Sequence, residues 1–148
     1  MADDRLRIPQ DEEYFHAIGL AVVAFARLEW SAIWCCERLE PRYLRRLRKK
    51  TANRIGEDLK KNFARVADGD LRARFLPLAD EFLAIVEKRN GLFHGRPGTT
   101  PEGHQRLFRH GTIWTVEAVN KFADRCARLK SPLVELIHKE LKQATDQD

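Results

Sequence analysis

Arg89, Asn90 and His94 stand together in the segment Arg89-Asn90-Gly91-Leu92-Phe93-His94-Gly95. Histidine titrates near neutrality and can serve as general acid or general base. A planar guanidinium stabilises a phosphoryl group that gains charge in a transition state. An asparagine amide can hold either the imidazole or a phosphate oxygen. Together these types suit proton transfer at an anionic centre. A purely structural role is also open, because Arg and His in a last helical turn satisfy unpaired carbonyls and the helix dipole.

The elements around the triad decide how its members can meet. A stripe of Phe75, Leu78, Phe82 and Val86 predicts a helix from Asp70, its cap, to about Leu92, with Pro77 near its start. Arg89 continues that stripe and Phe93 follows it, so the guanidinium faces the core side, where an unpaired charge is costly. Asn90 and His94 share a face at i and i+4. Arg89 and His94 are five residues apart, roughly 140° around a regular helix. They converge only near the helix end, or with help from another subunit. Gly95 suits a left-handed position just beyond that end.

Other helices are expected over Asp11–Leu39, Arg42–Lys50 and Asn53–Ala67, with a last one beginning at the cap Thr115. The first carries Tyr14, Ile18, Ala21, Val22, Phe25, Ala32, Ile33 and Cys36 as its stripe, and Pro41 ends it. Ser131-Pro132 either kinks the last helix or starts another. The stretch His104–Trp114 lacks a helical period and reads as loop with short extended pieces. The sum is an all-α, antiparallel four- to five-helix bundle forming a single domain over 1–148.

With this helical pattern around it, the motif resembles the signature of the HEPN superfamily: Arg, then commonly Asn, Asp or His, then three residues and His. Arg89, Asn90 and His94 match it directly. The resemblance implies a HEPN-like bundle with the motif at a helix end. It implies a metal-independent endoribonuclease, a toxin or phage-defence effector, using 2′-hydroxyl attack and leaving a 2′,3′-cyclic phosphate. One histidine per chain falls short of the acid and the base that this reaction needs. A two-fold homodimer supplies two arginines and two histidines. The alternative is a non-catalytic HEPN-like module that binds nucleic acid or protein. A further rival is an unrelated helical interaction protein in which the motif is a helix cap.

Glu29 lies on the apolar stripe of the first helix, where a carboxylate needs a partner. Arg89 is the natural candidate. Glu29 then orients Arg89 as an ion pair, acts directly in catalysis, or sits at the rim of a rotated helix. His104 and His110 either line the cleft or are ordinary surface residues. Trp30 and Trp34 are four apart, with core packing as the default and a dimer contact as the other option.

The chain has 148 residues and a net charge of +5, and 43% of its residues are hydrophobic, which excludes a disordered tail. The charge is local. Arg38–Arg54 carries eight basic residues against Glu40 alone, so the other 131 residues sum to −2. Arg42, Arg45, Arg46, Arg48, Lys49 and Lys50 offer contacts to an RNA backbone, a docking face for an acidic partner such as an antitoxin, or a solvated face. Three cysteines without framework spacing point to a reducing cytoplasm. No Cys/His cluster has zinc-ligand spacing, so no metal or cofactor is expected. The amino-terminal ten residues lack a signal-peptide core, and the longest apolar run, Ile18–Ala26, has nine residues. That run is far short of the ~20 that cross a bilayer, so no membrane contact is expected.

Overall fold

The computed structural model describes residues 11–141. The segment 1–10, where the signal-peptide reading falls, and residues 142–148 lie outside the described residues.

Four α-helices follow in order: α1 (Glu12–Leu39), α2 (Ala52–Ala64), α3 (Gly69–Phe93) and α4 (Val116–His138). A 3₁₀ helix (Tyr43–Lys49) joins α1 to α2. Three short strands lie between α3 and α4: β1 (Arg96–Thr99), β2 (Gln105–Arg109) and β3 (Thr112–Trp114). They form an antiparallel sheet in the order β1-β2-β3. The all-α expectation is thereby corrected to a mostly helical chain with a small sheet. β2 and β3 fall in the stretch read as loop with short extended pieces, whereas β1 escaped the sequence reading because it is four residues long and contains Pro97 and Gly98, types depleted in strands. Pro97 is tolerated because β1 is an edge strand.

Each α-helix begins at a side-chain cap. Asp11 accepts from the Tyr14 N–H, Thr51 from Arg54, and Thr115 from Ala118. Asp68, not Asp70, caps α3, accepting from the Asp70 and Leu71 amides. Its backbone is extended while Asp70 is already helical, and only an extended residue can turn its side chain back onto the first amides. Ser131-Pro132 neither breaks nor restarts α4.

The core joins α1 chiefly to α4 and α2 to α3. Phe25 of α1 is its hub. Its ring stacks at 6.4 Å on Phe82 of α3 and at 6.4 Å on Phe122 of α4, within the range where aromatic pairs add to plain burial. Arg125 grips Glu81 with two hydrogen bonds and ties α4 to α3. Cys35, Cys36 and Cys126 are free and buried. Burial pushes the Cys36 and Cys126 thiols up to about 12, which keeps them protonated.

Helix α1 departs from its expected stripe. Leu28 is buried, whereas Val22, Trp30 and Trp34 are 43%, 49% and 43% exposed. The two indoles are therefore not core residues. By length and composition α1 is also long and apolar enough to cross a membrane. The criterion of an unbroken run missed this because Arg27 and Glu29 interrupt the apolar middle of the helix. In the fold, one face of α1 forms the core and the other stays open.

Candidate active site

Arg89 sits one turn from the end of α3, as its spacing predicts, and is only partly buried. Its guanidinium carbon lies 5.3 Å from the Phe25 ring centre and 4.6 Å from that of Phe93. Phe93 in turn meets Phe25 edge-on at 6.4 Å. The cation thus sits in the corner between two rings set nearly perpendicular, both of which favour it electrostatically. Its Nη1 donates to Asn90 Oδ1 at 2.9 Å. Its Nε–H is buried without a partner among the described residues. One edge of the fork is pinned, and the Nε–H is left unpaired and shielded from solvent.

Asn90 therefore grips the arginine, a role the sequence reading did not assign to it. His94 is the C-cap of α3; its backbone N–H donates to the Asn90 carbonyl, and the Gly95 N–H donates to that of Leu92. Its exposed imidazole has no hydrogen-bond partner among the described residues. Gly95 does not adopt the expected left-handed conformation. It is needed for close approach instead, since a Cβ there would stand 2.9 Å from Leu107 Cβ and 3.0 Å from the Leu92 carbonyl. The helix ends because β2 is pressed against it.

Glu29 is half-buried. Burial raises its carboxyl above the ordinary value, and the Arg89 charge acts against that rise. No direct ion pair joins the two among the described residues; the guanidinium is committed to Asn90. The carboxylate acts on Arg89 through space.

The hairpin β2–β3 locks onto the other end of α1. Tyr14 Oη donates to the Trp114 carbonyl at 2.7 Å and accepts from the Leu107 N–H at 3.1 Å. These two residues face each other in the β2–β3 register. Arg106 pairs with Asp11 at 2.9 Å and lies over the Tyr14 ring at 4.5 Å. The hairpin turn is His110-Gly111, both with positive φ of 49° and 77°, as a two-residue turn between twisted strands requires. Arg109 Nη1 donates to the His94 carbonyl at 3.3 Å.

Between α3 and this hairpin lies a cavity of about 590 Å³. Glu87, Lys88 and Asn90 line it from the helix, and Arg109, His110 and Trp114 from the hairpin. His110 thus reaches the cleft, while His104 sits in the β1–β2 turn outside it. The sequence reading passed over Arg109 and Trp114, for want of a helical period. The available signal was His-Gly, a pair tolerant of left-handed backbone, between two short runs.

The basic segment is partly spent on structure. Lys50 pairs with Asp58 at 2.7 Å and lies over Tyr43, and Arg46 pairs with Glu40. Arg42, Arg45, Arg48 and Lys49 are exposed, with no ion-pair partner among the described residues. The segment follows Leu39, whereas Arg89 packs on Phe25. Fourteen residues of helix separate those levels, roughly 21 Å at the usual rise. The structure therefore does not bring the basic run to the motif. Among the described residues, no group of three or more His, Cys, Asp or Glu side chains is arranged to hold a metal ion.

No family model matches the chain, and no curated protein or solved structure shows significant similarity to it.

Proposed function

We propose that this chain is a HEPN-like, metal-independent endoribonuclease that acts as a homodimer. The observation that carries the reading is the Arg89 guanidinium, clamped by Phe25, Phe93 and Asn90 with its Nε edge unpaired, one turn before an exposed histidine. Such a cation is preorganised for a phosphate, because the protein has already fixed its orientation. His94 of one protomer takes the proton of the 2′-hydroxyl. The oxygen attacks the adjacent phosphorus and expels the 5′-oxygen, which the second protomer's histidine protonates. The two arginines stabilise the charge that builds on the phosphoryl oxygens. Glu29 positions Arg89 through its field.

Dimerisation has a natural surface. Val22, Trp30 and Trp34 form an exposed apolar face on α1, beside Glu29 and the level at which Arg89 packs. A second copy laid on that face covers the exposed indoles. The exposed cations of the 3₁₀ helix then serve the more distant backbone of a longer RNA, or an acidic antitoxin. The resemblance further supports a toxin or defence role in the cytoplasm.

The test is incubation of the purified chain with total RNA in EDTA. Cleavage with cyclic-phosphate ends is expected, and Arg89→Ala and His94→Ala should abolish it while helical circular dichroism persists. Undiminished cleavage by both variants would refute the assignment. RNA binding without cleavage by the unaltered chain would select the binding-module reading instead.

A further inference from the structure

We infer that the cavity between α3 and the β2–β3 hairpin seats one nucleotide of single-stranded RNA beside the cleavage point. This rests on the ribonuclease reading and adds to it the part that reads the substrate. About 590 Å³ is ample for one nucleotide, since small-ligand pockets run to roughly 300–1,000 Å³. The lining has the chemistry of a nucleotide. Lys88 and Arg109 are cations without an ion-pair partner among the described residues, and they suit a phosphate. The Trp114 indole offers a stacking surface for a base. The Glu87 carboxylate, likewise unpaired, accepts only, so it favours bases with an exocyclic amino group over uracil.

Two features couple this pocket to the motif. Asn90 belongs to both. Its Oδ1 holds Arg89, and its Nδ2 makes no hydrogen bond among the described residues and is left to donate into the cavity. Arg109 holds the His94 carbonyl, so the pocket wall and the end of α3 move together. The floor is also kept open. A Cβ at Gly91 would stand 3.7 Å from Trp114 Cζ2 and 3.8 Å from Arg109 Cγ, so any larger side chain would fill the space above the indole. The positive-φ turn at His110-Gly111 folds the hairpin tip so that His110 closes one side.

The experiment uses the His94→Ala protein, so that RNA survives, and short single-stranded RNAs of mixed sequence. Binding is read by NMR from the three indole N–H resonances, with Trp114 identified by Trp114→Phe. The Trp114 signal should shift while those of Trp30 and Trp34 stay in place. Adding Arg109→Ala or Lys88→Ala should each weaken binding about tenfold, as loss of a charge-assisted contact does. Glu87→Gln should erase the preference over oligouridine. A silent Trp114, or undiminished binding by both cation variants, overturns the pocket even if the unaltered chain cleaves RNA. A shifted Trp114 in a chain that cleaves nothing sinks the ribonuclease reading and leaves the pocket standing.

Discussion

Replacing Tyr14 by Phe removes one oxygen and isolates what that oxygen does. The ring stays, so its packing in the core and its face under Arg106 stay. The Asp11–Arg106 pair is also untouched. What is lost is one donor to the Trp114 carbonyl and one acceptor for the Leu107 N–H. Each hydrogen bond of this kind contributes about 1 kcal/mol net, and a buried group left unsatisfied costs up to about 3. Both partners are part-buried, so water reaches them only in part, and a loss of about 2 kcal/mol is expected. For a chain of this size that lowers the melting temperature by roughly 6 °C. The loss is also local. Amide exchange at Leu107 and at its neighbours in the hairpin should accelerate more than exchange in α2. Urea unfolding and hydrogen exchange measure both effects. A midpoint unchanged within error, together with unchanged exchange at Leu107, would refute the view that this phenol holds the hairpin to α1.

Glu29→Gln tests the strained carboxylate. Its folded-state pKa is raised above 4.5, so its contribution to stability is present below that value and is lost as pH rises through the folded pKa. The variant should therefore match the parent near pH 4 and exceed it in melting temperature at pH 8, with weaker RNA cleavage. A gap that does not change with pH argues against burial of the charge. Gly95→Ala should destabilise by about 1–3 kcal/mol through its clash with Leu107 and the Leu92 carbonyl. Gly19→Ala, in α1 with nothing within 4 Å, should stabilise by about 0.5–1 kcal/mol. Chemical denaturation of both proteins checks the pair, and a reversed order would contradict the close approach of β2.

The helices were readable because each has a single period; of the caps, Thr115 was read correctly, whereas Asp70 was read where Asp68 serves. The exposed face of α1 was not readable, since Val22 and Trp30 are as apolar as the residues they stand beside. Sequence spacing cannot say which of two apolar faces will find a partner. Arg89 and His94 stood out by residue type alone. Their surroundings did not. The Phe25 ring is 64 residues from Arg89, and the hairpin that approaches His94 has no helical repeat to reveal it. Gly95 shows the limit well: position suggested a left-handed cap, whereas the tertiary approach of Leu107 is what excludes a side chain.

The contacts of α1 also govern when the molecule comes into being. Tyr14 meets Trp114 across 100 residues, and Cys35 donates to the Leu133 carbonyl across 98. At about 5–20 residues per second, roughly 5–20 s of synthesis separate these partners. The first helix made thus waits longest for its chief partner, α4. The hairpin wall of the nucleotide cavity cannot dock until Trp114 has cleared the ribosome exit. A truncated chain lacking α4 would carry the Arg89–His94 segment without Phe122, which backs the Phe25 ring of the clamp, so the finished fold is itself the arming step.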